Sequence, residues 1–174
     1  MKKALRFVDK FSEIVAWVGI ALIAVLALMY TADVLGRMLL GQQMKGTYEI
    51  AQFLLCLISF MAYPLAQVRR GHIHVGFIVS RFPPKARYLL SAFSFLWSVV
   101  MCGIVSYALW TQGVFTLSSN KLTQVLLLPY YPVYYASSVL MGIFAITLLT
   151  DVVRSILAFL GDEECQKSIQ KVYS

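Results

Sequence analysis

The sequence predicts an all-α integral membrane protein of four transmembrane helices, with both termini cytoplasmic and a short interfacial helix between the second and third spans. Three observations carry this reading. The 174 residues are 60% hydrophobic and only 13% charged, with a mean hydropathy of +0.75, which is far more apolar than a soluble domain of this length. Four apolar runs are each long enough to cross a hydrocarbon core of about 30 Å. The Lys and Arg residues sit at the ends of those runs and are strongly biased to alternate ends, as residues retained on the cytoplasmic side are.

The elements follow in order. The amino terminus carries Lys2, Lys3, Arg6 and Lys10 and then enters an apolar run, Ile14 to Ala32, of nineteen residues without a charge. A cleaved signal has an apolar region of roughly 7 to 15 residues, so this run reads as a retained first span at about residues 14–35. The short link around Gly36 to Gly46 requires an antiparallel second span at about 48–68, where Pro64 removes a backbone hydrogen bond near the end. A basic loop, 69–87, holds five of the fifteen Lys and Arg residues and no Asp or Glu. Within it, Ile73 to Phe82 reads as a helix lying in the cytoplasmic interface, its apolar side in lipid and its basic side at the headgroups, although its alternating pattern also fits an extended strand. The third span, about 88–111, leads into a polar stretch at 112–124. Val125 to Tyr135 is apolar but broken by Pro129 and Pro132, and a fourth span at about 133–150 extends amphipathically to 160. The whole chain reads as a single membrane domain.

Charge tests the topology. The amino-terminal tail, the basic loop and the carboxy-terminal side hold four, five and three Lys or Arg, whereas the two opposite links share only Arg37, Lys45 and Lys121. This bias places both termini and the basic loop inside. It also accounts for the formal charge of +7, so nucleic acid is not an expected partner. Cys56 and Cys102 fall in apolar runs and Cys165 in a polar tail, with no disulfide framework or metal motif.

Chemistry in a membrane needs polar groups at depth, and the span centres contain no Asp, Glu, Lys, Arg or His. Asp33 lies close enough to its span end to reach the interface, Arg37 follows one turn later, and the short link can bring Glu49 near the same pair. These three are expected to be ion-pair or partner contacts at the periplasmic edge. Asp151 and Arg154 form a similar pair at the cytoplasmic end. Arg69, Arg70, His72, His74, Arg81, Lys85 and Arg87 are expected at the cytoplasmic interface, against phospholipid headgroups. His72 and His74 are the only histidines, and two residues apart in one loop they cannot present opposite axial ligands to a haem. Ser94, Ser98, Cys102 and Ser106, spaced by four, form a ridge of small residues that lets another helix approach. No catalytic, metal or cofactor site is expected in the chain.

Gly46-Thr-Tyr-Glu-Ile50 opens the second span, which runs into Ala66-Gln-Val-Arg-Arg-Gly-His72, then Ile73-His-Val75 and a Phe82-Pro-Pro84 stop. On these residues, and on size and span count, the chain resembles the small membrane subunit of the tripartite ATP-independent periplasmic (TRAP) transporters. Gly76 departs from the pattern, standing where an acidic residue often follows. The resemblance implies a bacterial inner-membrane protein, not an enzyme, that acts as a scaffold. Its expected partners are a large membrane subunit, which holds sodium and moves substrate, and a periplasmic substrate-binding protein. The imported substrate would be an organic acid such as a C4-dicarboxylate or sialic acid. A respiratory membrane anchor would show haem-ligand histidines within its spans, and a small exporter would need a charge deep in a span.

Overall fold

The computed structural model describes residues 2–41, 44–68 and 84–159. Among the described residues four helices follow in chain order: α1 (Lys2–Leu40), α2 (Thr47–Val68), α3 (Pro84–Ser118) and α4 (Tyr131–Phe159). Each contains a stretch long and apolar enough to cross a membrane, at Lys10–Leu39, Thr47–Gln67, Leu89–Ser118 and Tyr131–Leu157. No strand runs through the described residues; the nearest to one is an isolated antiparallel bridge between Leu122 and Pro129. The interfacial helix expected at 73–82 lies outside the described residues.

Two helices are longer than the apolar runs that announce them. The 39 residues of α1 span about 58 Å at 1.5 Å per residue, well beyond the hydrocarbon core. Without an internal proline it continues to Leu40, and Gly41, at a φ of 66°, supplies the left-handed residue on which helices commonly end. The stretch from Gln112 to Ser118, expected as loop, is instead the last two turns of α3. Its hydroxyls turn inward onto the helix: Thr116 donates to the Gln112 carbonyl at 2.6 Å and Ser118 to the Phe115 carbonyl at 2.9 Å. With side-chain donors satisfied this way, polar residues extend the helix at no hydrogen-bonding cost.

The helices pack as a row. α1 lies against α2, α2 against α4 and α4 extensively against α3, while α1 meets α4 over only a short stretch. α4 is therefore the hub, with 44% of its span buried against 17% in each of the others. Its buried residues Ser137, Leu140, Phe144, Leu148, Asp151 and Ser155 recur at spacings of three or four, the seam that two nearly aligned helices share. The buried residues of α3 are Ser91, Phe95, Cys102, Gly113 and Thr116, and a cluster of Phe95, Cys102, Phe144, Leu148 and Val152 forms the apolar core between it and α4.

Lipid tails are as apolar as these side chains, so association rests on close approach and hydrogen bonding more than on exclusion of water. Both are visible between α3 and α4. The Ser106 hydroxyl donates to the Ser138 carbonyl at 2.9 Å, and the Ser138 hydroxyl donates back to the Ser106 carbonyl at 2.8 Å. Two turns further along α3, a Cβ added at Gly113 would lie 2.9 Å from the Tyr135 ring, so only glycine lets the two backbones come this close.

Candidate functional site

Polar chemistry collects at the two ends of the row. At one end are the link between α1 and α2 and the loop between α3 and α4, and each is held by a buried carboxylate. Asp33, on α1, is 3% exposed. One of its oxygens accepts from Arg37 at 2.8 Å, one turn along the same helix, and the other from the Met44 backbone amide at 2.9 Å and the Thr47 hydroxyl at 3.5 Å. The carboxylate thus ties the end of the link to α1. Thr47 also donates to the Met44 carbonyl at 3.1 Å, and the Gly46 carbonyl accepts from Glu49 and Ile50 to begin α2.

Glu49 does not join that pair, contrary to the sequence expectation. Two residues on from Thr47, it is rotated by about 200° around α2, so it faces away from Asp33. There it meets the loop. One oxygen accepts from the Val125 amide at 2.7 Å and the other from the Leu126 amide at 2.8 Å. A carboxylate buried to 8% exposure is stable only when its lone pairs are filled, and two successive backbone amides fill them with charge-assisted bonds. Leu126 folds over Gly46, whose φ of 84° and missing Cβ make room for it; a Cβ there would collide with the leucine side chain.

The loop is built to reach that position. α3 ends in a Schellman motif with Asn120 at a φ of 47°: the Lys121 amide returns to the Thr116 carbonyl at 3.2 Å and the Asn120 amide to Leu117 at 3.2 Å. Thr123 then closes a narrow turn, its amide on the Leu128 carbonyl at 2.9 Å and its hydroxyl accepting from the Leu128 amide at 2.9 Å. Leu127 is held at a φ of 55°, a left-handed conformation that costs a residue with a Cβ roughly 1–2 kcal/mol. Pro129 and Pro132, read in the sequence as breakers, lie in the closing arm of this turn and in the first turn of α4. The link and the loop together border an open depression of about 700 Å³, lined by Lys45, Tyr48, Glu49, Gln52, Gln124 and Tyr130 among others.

At the other end, the Gln67 side-chain amide of α2 donates to Asp151 of α4 at 2.8 Å, and Arg154 approaches the second oxygen of Asp151 at 3.3 Å. Asp151 and Arg154 are the i, i+3 pair read from the sequence; Gln67 is the cross-helix partner that the sequence reading missed. Between the two ends, the polar contacts are neutral: the Ser106 and Ser138 exchange, and the Cys56 thiol 3.6 Å from the Ser137 hydroxyl.

The remaining residues singled out in the sequence separate. On the four-spaced ridge of α3, Cys102 is buried and Ser106 meets α4, but Ser98 is half-buried and bonds to the Ser94 carbonyl, and Ser94 is exposed. A strict spacing of four turns by about 40° per step around a helix of 3.6 residues per turn, so the ridge winds off the seam by about 120° from Ser106 to Ser94. Arg69, Arg70, His72, His74 and Arg81 lie outside the described residues. Lys85 and Arg87 lie in the first turns of α3, with side chains outside the description. Among the described residues no group of His, Cys, Asp and Glu gathers as metal ligands do.

Comparison with known proteins adds one finding. A family model described as "Tripartite ATP-independent periplasmic transporters, DctQ component" matches residues 26–158, which include all of α2 and α3, both loops at the Glu49 end and nearly all of α4. No curated protein matches the chain.

Proposed function

Since the chain belongs to the DctQ family, the small membrane subunits of tripartite ATP-independent periplasmic transporters, we propose that it is the fixed scaffold of a sodium-coupled importer of an organic acid. In this reading a large membrane subunit binds sodium and substrate and carries them across. A soluble periplasmic binding protein delivers the substrate, and this chain widens the immobile part of the complex. The Glu49 end faces the periplasm and the termini lie inside the cell, an orientation supported by the Lys and Arg bias.

The observation that carries the scaffold reading is how the buried carboxylates are used. Transport of an anion needs a polar site near the midplane, commonly built from broken helices. Here Asp33, Glu49 and Asp151 all lie away from the middles of their spans, each bonded to groups of the chain itself. The four spans are continuous helices. Such a frame suits a stator, with none of these three carboxylates free to follow a gradient. Proteoliposomes test this. With the chain alone, a sodium gradient, the binding protein and a panel of organic acids, no uptake is expected; uptake should appear when the large subunit is added. Sodium-dependent accumulation by the chain alone would overturn the scaffold reading.

A further inference from the structure

Towards the end where Gln67 meets Asp151, α3 and α4 carry their polarity inside out. Ser91, Asp151 and Ser155 are buried to 3% exposure or less, whereas Leu89 and Phe93 are 65% and 66% exposed. A helix end that stood in water would show the reverse, so this stretch is built for an apolar surrounding. Its exposed side is hollowed. Leu89, Leu90, Phe93 and Leu96 of α3 and Val152 and Ile156 of α4 border an open groove of about 630 Å³, with Ala92 also in its wall.

Two grooves between neighbouring helices differ in what they fit. The groove between α1 and α2, about 310 Å³, has Ala16, Gly19, Ala62 and Ala66 in its lining, small residues of the kind that let another helix approach. The groove between α3 and α4 is lined almost entirely by bulky side chains, which hold a helix off yet leave a channel for a flexible chain. Charge lies at one end of it. Lys85 stands one turn before Leu89 on the same face of α3, about 6 Å further along the axis, whereas beyond Leu96 the helix runs on into the apolar span. We propose that this groove holds one acyl chain of an anionic phospholipid of the cytoplasmic leaflet, with the phosphate at Lys85. A lipid has the same layout, a charged head at the bilayer boundary and an apolar tail directed inward, and a lysine near an anionic leaflet attracts such heads. The leaflet follows from the reading of this end as cytoplasmic; the occupant does not depend on the transporter reading.

The test uses the small and large subunits purified together in phosphatidylcholine nanodiscs that contain a small fraction of phosphatidylglycerol with a photoactivatable diazirine on one acyl chain. After illumination, mass spectrometry of the peptides locates the cross-links. They are expected to concentrate at residues 92–96 and 152–156, well above the level at Leu28 of α1, which is 71% exposed and open to any lipid. Ala92→Phe, which fills the groove, is expected to cut that labelling about tenfold or more by excluding several methylenes. Ile156→Trp fills it from the α4 side and serves if the first variant yields less complex. Lys85→Gln is expected to cut labelling about fivefold, the effect of one cation at a charged leaflet, and to leave unchanged the weaker labelling by a phosphatidylcholine probe with the same chain. Labelling spread evenly over the exposed faces, Leu28 included, would overturn the proposal, since only loose surrounding lipid would then be present. So would groove labelling that appears in this chain alone and vanishes in the assembled complex, because a partner helix would cover the groove. A disulfide between Phe77→Cys and Phe93→Cys in a background without the native cysteines would likewise overturn it, by seating the chain's own basic loop there. All these outcomes leave the transporter reading, which stands on the uptake experiment, untouched.

Discussion

Asp33 and Glu49 show what a sequence can and cannot disclose about a carboxylate. The pairing of Asp33 with Arg37 is legible, because in a helix residues four apart are neighbours whatever the rest of the fold does. The partners of Glu49 are not. They are the amides of Val125 and Leu126, 76 and 77 residues away, and every residue except proline carries such an amide, so no side-chain identity marks them. Gln67 was unreadable for a related reason, since its partner Asp151 lies 84 residues on and only helix packing decides which polar residues meet. The geometry of Glu49 yields a direct prediction. Replacing it by Gln keeps the size but turns one acceptor into a donor facing an amide N–H, so at least one of the two bonds is lost. Hydrogen exchange in nanodiscs should show the Val125 and Leu126 amides losing about tenfold or more protection, as charge-assisted bonds go, while amides at the centres of α2 and α4 keep theirs. Unchanged protection in the loop would mean that Thr123 and the strained backbone hold it without Glu49.

At the level of elements, four helices were evident from apolar runs alone, because a segment in lipid must satisfy its backbone internally. Their ends were less evident. Hydropathy reports where the bilayer stops, whereas α3 stops where its hydroxyls and Asn120 satisfy the last carbonyls, and these places differ by two turns. Of the four-spaced row on α3, Cys102 and Ser106 meet α4 while Ser94 stays exposed, because only a partner helix of known tilt selects which residues of a row lie on the seam. Gly113 and Gly103 separate helix propensity from helix contact. Both lie in α3, but an added Cβ meets the Tyr135 ring at Gly113 and nothing within 4 Å at Gly103. Gly103→Ala is expected to leave thermal stability unchanged or raised. Gly113→Ala, which gains the same propensity, is expected to lose about 1–3 kcal/mol through overpacking. The comparison is made by thermal unfolding in one detergent, and equal shifts for the two would show that α3 and α4 are not held at their closest approach by Gly113.

For the whole molecule, orientation is the property that the charge pattern argues and helix packing alone does not. Cysteines introduced singly at Asn120 and Ser174, in a background without Cys56, Cys102 and Cys165, should report it: an impermeant thiol reagent on intact cells is expected to label position 120 and spare 174. Labelling at 174 alone would invert the molecule and put the Glu49 end in the cytoplasm. The row of helices has a further consequence, for the order in which the protein is made. Chains leave the ribosome from the amino terminus and segments can associate as they emerge, so α1 and α2 can meet as a hairpin early. α3 then arrives with only a marginal contact to either, apart from the loop that follows it. α4 is synthesised after all three and is the one that lies between α2 and α3. Until it enters the membrane, the α1–α2 hairpin and α3 have little helix packing to join them, and it is the central member of the row, made after its neighbours, that brings them together.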